Sequence, residues 1–111
     1  MAGKQMVMVL QAETASGLNF EELCHACHAM PEFVLELVQY GTLDPVGHSL
    51  ETWRFDGRDI HVLRIAMHLH HDLELNHAGI ALTVELMDEI AELREQVDML
   101  QKYSRVPSIL L

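Results

Sequence analysis

From Phe20 to Tyr103 the apolar residues recur every three or four positions, the period of an α-helix, and they fall into four blocks. Asn19 followed by Phe20, Glu21 and Glu22 reads as a helix cap with acids in the first turn. Phe20, Leu23, Cys24 and Cys27 then share one face, which predicts a helix over about 20–29. Pro31 suits a first helical position, Phe33, Val34, Leu37 and Val38 form an inward stripe, and Gly41 supplies the stop, so a second helix is expected over about 31–40. Only Ala29 and Met30 separate the two, the tight connection of a helix-turn-helix spanning about 19–41. The stretch 42–56 holds Pro45, Gly47 and the β-prone Thr52-Trp53-Arg54-Phe55, which predicts a small β wing.

Asp56 caps a third helix over about 57–74 that buries Ile60, Leu63, Ile65 or Met67, and Leu69 to Leu73, with Arg58, Asp59, Arg64 and Asp72 outward. Asn76, His77 and Gly79 interrupt it, and a long last helix is expected over about 78–103. There Leu86, Ile90, Leu93, Val97 and Leu100 alternate by four and three, the spacing of a heptad seam. So small a body cannot cover that whole stripe, so a homodimer through the C-terminal helix is expected. At the ends, Met6–Gln11 reads as a short strand or an N-terminal arm, and Ser104–Leu111 as a tail broken by Pro107. The fold class is mainly α, in one domain over 1–111, as the length of 111 residues already suggests.

Charge narrows the function classes. Residues 1–53 hold one basic residue, Lys4, against seven acidic ones, a net −6, while 54–111 hold six against ten, a net −4. A total of −10 argues against partners bound through phosphates or anionic lipid, so neither nucleic acid nor membrane is expected. The apolar run Met6–Leu10 is five residues, far short of the ~20 of a membrane span and of a signal peptide's core, which points to the cytoplasm. In that compartment Cys24 and Cys27 are expected as thiols.

Cys24-His25-Ala26-Cys27-His28 matches the C-x-x-C-H pattern of covalent haem attachment, but that reaction follows export and both cysteines lie on the Phe20 and Leu23 face. Zinc could use Cys24 with His28, or Cys24 with Cys27, yet no second ligand pair stands at matching spacing. Two small buried thiols are the expected outcome, with no metal and no cofactor. His68, His70 and His71 read as surface histidines that would turn a patch positive on protonation, with only His68 and Asp72 at an i, i+4 spacing. Trp53 and Phe55, flanking Arg54, are expected to close the core over the first and third helices rather than to anchor a partner. The chain carries no phosphate loop, nucleophile elbow or acid pair beside a nucleophile, so it is not expected to be an enzyme.

Several segments carry a family resemblance. They are Leu23-Cys24, Leu37-Val38-x-x-Gly41-x-Leu43-x-Pro45, Trp53-x-Phe55-Asp56, Arg64, Asp72-Leu73-x-Leu75, Gly79-Ile80-Ala81 and Leu86-Met87-Asp88-x-Ile90-x-x-Leu93. In this order, from about Leu18 to Tyr103, the chain resembles the CbpM-type chaperone modulators, a branch of the MerR-like winged helix-turn-helix proteins. It departs from them in carrying His28 where such turns usually place glycine, and Met67-His68-Leu69-His70-His71 where arginine is more usual. The resemblance implies an adaptor that binds the J domain of a CbpA/DnaJ-like co-chaperone and inhibits its engagement of DnaK. It also implies descent from DNA-binding proteins.

The second helix speaks on that choice. In a MerR-type regulator it enters the major groove and needs Arg or Lys. Here it has neither, and no Lys or Arg stands between Gln5 and Trp53. Turned away from Phe33 and Leu37 are Glu32, Leu35, Glu36 and Gln39, with Tyr40 at the edge and Asp44 just beyond, and these six are the expected partner-binding residues. Such a face would repel phosphates and complement a basic helix, which the resemblance implies J domains present to DnaK. A dimeric MerR-type DNA-binding transcriptional regulator is the alternative.

Overall fold

The computed structural model describes residues 17–110, and the side chains of residues 17–103. The expected strand or arm at Met6–Gln11 lies outside the described residues. Four helices follow one another: α1 Phe20–Cys27, α2 Pro31–Gln39, α3 Gly57–Leu73 and α4 His77–Leu110.

Local chemistry sets each boundary. The Asn19 side chain accepts from the Glu22 backbone N–H at 2.8 Å while the Glu22 carboxylate accepts from the Asn19 N–H at 2.9 Å. Asp56 and Asp59 make the same reciprocal box at the start of α3, both bonds at 3.0 Å. Asn76 caps α4 by accepting from the Gly79 N–H at 2.8 Å. At the other ends the chain turns through left-handed residues, His28 closing α1 at φ 54° and Glu74 closing α3 at φ 54°. Gly41, at φ 77°, does the same after α2, where the Thr42 N–H reaches the Leu37 carbonyl at 2.9 Å.

The helices enclose one core. Leu23 from α1, Val34 and Leu37 from α2, Leu63 and Ala66 from α3, and Ile80 from α4 are fully shielded, and Leu18, Leu43 and Phe55 close it from the connecting segments. Cys24 and Cys27 are buried free thiols in the same cluster, as the sequence suggested. Burial raises both thiol pKa values; the neighbouring Cys27 adds to the rise at Cys24, whereas Arg64 offsets part of it at Cys27. Phe20 and Trp53 meet edge to face at 6.3 Å, and Trp53 and Phe55 at 6.1 Å, so the aromatic pair does close the core.

Three expectations need correction. The predicted β wing is a loop pinned by two isolated antiparallel bridges, Leu18 with Phe55 and Val46 with Arg54, among the described residues. Pro45 has no N–H to add to a ladder, and Gly47 turns the chain at φ 118° with its α-carbon so close to Thr52 that a Cβ would lie 2.6 Å from the Thr52 carbonyl oxygen. The intervening residues fold back on themselves, Thr52 bonding to Ser49 instead of to a partner strand. Second, the predicted tail continues α4: the backbone stays helical past Pro107, whose missing N–H removes one ladder bond without ending the helix. Third, Leu73, expected inside, is exposed at the end of α3.

Candidate functional site

The six partner-binding candidates do not form one flat patch. Pro31 starts α2 so that Val34 and Leu37 point inward, and the i, i+4 row Glu32, Glu36, Tyr40 runs up one side of the helix. Leu35 is half-buried, not the exposed apolar contact that its place on the helix implies, and Gln39 is exposed. The row Glu32, Glu36, Tyr40 and, beyond Gly41, Asp44 therefore carries the accessible chemistry.

Glu36 is not a free carboxylate. Its Oε2 lies 2.9 Å from Nε2 of His77, whose side chain is only 14% exposed at the first turn of α4. Phe33 at 4.9 Å, Tyr40 stacked at 5.8 Å and His70 at 6.3 Å surround the same ring. The His77 Nδ1 is buried without a hydrogen-bond partner, so the geometry suits a ring protonated on Nε2 alone, donating to Glu36. In the sequence His77 stands out only as a helix interruption. Its one usable signal was the position just after Asn76, a capping residue, which places the ring at the start of α4 and against α2.

Past Tyr40 the row enters a cavity of about 530 Å³ between the end of α2, the start of α3 and the first turns of α4. Asp44, Asp56, Asp59, Glu85 and Asp88 line it against one arginine, Arg58, which bonds to Asp88 at 2.8 Å. Burial raises the Asp59 carboxyl to about 6, opposed by the backbone N–H of Asp56 and reinforced by the Asp56 charge. A half-buried carboxylate among others gains from an approaching cation, so this end of the face favours positive groups.

On its other flank the row borders a more apolar groove of about 840 Å³ between α2 and the second half of α3. Cys27, Phe33 and Met67 line its shielded side, the exposed Met30 stands at its mouth, and Glu32 and Glu36 from α2 face Arg64 and the histidines of α3. His68 bonds to Asp72 at 2.9 Å and His70 Nδ1 lies 3.0 Å from the Leu75 carbonyl, so only part of the histidine cluster is plain surface. Among the described residues no three metal-ligating side chains are gathered, Cys24 to His28 included. No helix among them is long and apolar enough to cross a membrane.

Known proteins agree with this frame. Residues 18–102 match the MerR HTH family of regulatory proteins. The chaperone modulatory protein CbpM of Coxiella burnetii (strain Dugway 5J108-111) is 32% identical over 100 residues, 90% of this chain and 94% of the relative. The protein of the same name from Pseudomonas entomophila (strain L48) is 36% identical over 85 residues, 77% of this chain and 84% of its own. A third, from Pseudomonas putida (strain W619), is 35% identical over the same length. With most of both chains aligned, the chain belongs to the CbpM chaperone modulators of the MerR helix-turn-helix family.

Proposed function

We propose that the chain modulates a CbpA/DnaJ-like co-chaperone by binding its J domain and inhibiting that domain's engagement of DnaK, as a cytoplasmic adaptor without catalytic chemistry. One observation carries the reading: α2, the helix that would enter DNA in a MerR-type regulator, presents Glu32 and Glu36 and leads into a cavity with five carboxylates. Phosphates would be repelled there, whereas a basic helix would be drawn in and oriented. The partner-binding residues of this reading are Glu32, Glu36, Tyr40 and Asp44, with Gln39 and the half-buried Leu35 at the margin.

The test is a calorimetric titration of the J domain of a CbpA-like co-chaperone into the protein at neutral pH. Because Glu36 also holds His77, the informative charge reversal is Glu32→Lys with Asp44→Lys, both on exposed positions. Saturable binding weakened roughly tenfold or more by that pair supports the reading, since such a loss is what removing a hot-spot contact brings. Binding to duplex DNA and none to the J domain would replace it with the transcriptional-regulator reading.

A second feature supports a homodimer. Along α4, Leu86, Ile90, Leu93, Val97 and Leu100 are all about half exposed or more, on a helix whose 34 residues span about 50 Å. A heptad stripe of that length is the seam of a two-helix pairing. Light scattering of the wild type should give twice the chain mass, and Leu93→Glu with Val97→Glu should return the monomer.

A further inference from the structure

The groove beside the acidic row has features that binding by charge alone would not require: a methionine and phenylalanine floor, and histidines from three elements. His28 closes α1, His68, His70 and His71 come from α3, and His77 opens α4. Met30, at the mouth, is 68% exposed. A groove between two helices with an adaptable apolar floor is the shape that takes the apolar side of a third helix. Its fixed charges favour a basic one: Glu32 and Glu36 stand along the α2 rim, and Arg64, the one fixed cation among the lining residues, sits beside Cys27.

We propose that this groove is the docking surface for an apolar and basic helix of the partner, and that its histidine wall releases that helix on mild acidification. The inference rests on the J-domain reading and adds to it the occupied groove and the regulation. With the histidines neutral the groove carries two carboxylates against one arginine. Histidine is the side chain that ordinarily changes charge between pH 5 and 8, and charge on three of the five rings is enough to reverse the sign of the groove. The rings are not equivalent. His77 is caged, with Glu36 on Nε2 and no acceptor at Nδ1, and His70 is tied to the Leu75 carbonyl, so these two hold the wall in place. His28, His68 and His71 are exposed and carry the response, with Asp72 partnering His68. Among the titratable and charged groups facing them, Glu21, His25 and the neutral thiol of Cys27 lie on α1, Glu32 and Glu36 on α2, and Arg64 and Asp72 on α3.

The experiment compares affinity for the J domain at pH 7.5 and 5.5, each protein checked for its helical signal at both. Wild type should weaken by roughly tenfold or more on acidification, the size of a modest electrostatic coupling. The triple variant His28→Asn, His68→Gln, His71→Gln should weaken by roughly threefold or less over the same change, asparagine being tolerated at the left-handed position 28. Titration of the partner is common to both proteins and drops out of the comparison. A separate variant, Met30→Arg, should cost roughly tenfold or more at pH 7.5 by setting a cation in the mouth of the groove. Equal pH dependence in wild type and triple variant would overturn the release, and full binding by Met30→Arg would overturn the docking site. If Met30→Arg instead changed only the chain's own mass by light scattering, the groove would belong to a second copy and the proposal would fall. Absence of J-domain binding by wild type at pH 7.5 would remove the chaperone reading itself, an outcome distinct from binding that ignores pH.

Discussion

Leu37 and Leu63 in the helical head, and Leu93 and Val97 on α4, are all placed by the same helical periodicity, yet the first pair is fully shielded and the second more than half exposed. In the head, four elements converge and each apolar stripe finds another. Beyond Val84 every described residue of α4 is exposed, because no other element reaches that far along the helix. Periodicity thus reports that a stripe wants a neighbour, and only the arrangement of the other helices tells whether the neighbour is in the same chain.

Matched truncations test that contrast most strongly. Leu63→Ala should cost about 3 kcal/mol in denaturant unfolding, within the range of buried leucine truncations. Leu93→Ala should cost less than about 1 kcal/mol in a dilute sample, where the arm is unpaired. Equal losses would mean that the arm is packed as the head is. If the arm pairs with a second copy, Leu93→Glu with Val97→Glu should abolish the rise of the unfolding midpoint with protein concentration, a difference of about 2 kcal/mol at concentrations well above the dissociation constant.

Legibility from the sequence followed the range of the interactions involved. The caps at Asn19 and Asp56 and the stop at Gly41 act within a few residues, and each stands where its residues predict, while the turn after α1 begins earlier than expected, at His28. The wing failed because Thr52-Trp53-Arg54-Phe55 has strand-forming side chains but no partner strand: Arg54 pairs with Val46 and Phe55 with Leu18, two different segments. At the candidate site the exposure of Glu32, Tyr40 and Asp44 is legible because an outward face is a local property. The pairing of Glu36 with His77 and the acidic cavity shared by α2, α3 and α4 depend on residues up to about 45 positions apart, which periodicity does not join.

Asp59 offers a smaller lever on the head. Its carboxyl is raised to about 6 in the folded protein, above the ~3.9 of an unfolded aspartate, so the native state holds that proton more tightly. The sign follows: this group makes the fold more stable as pH falls from about 6 toward 4, and the gain is lost as pH rises through 6. Since the side chain is half exposed, the discounted size is about 1 kcal/mol. Asp59→Asn should raise stability at pH 7 and flatten that part of the profile, with the Asn oxygen still able to accept from the Asp56 N–H.

The smallest effect distinguishes the two left-handed turns that close α1 and α2. Gly41 adopts φ 77° without steric cost, whereas His28 holds φ 54° with a side chain, a conformation that costs a residue with a Cβ about 1 kcal/mol relative to glycine. His28→Gly should therefore raise the unfolding free energy by up to about 1 kcal/mol, or a few degrees in Tm for a chain of this size. Gly41→Ala should lose a similar amount, although open space surrounds that position, because the penalty lies in the backbone and not in a clash. A gain at position 28 would mean that the head carries a removable strain at the rim of the groove, at a ring assigned to its pH response. Loss of stability instead would show that the imidazole packs well enough to offset its backbone, and a structural role would then account for the residue without any partner.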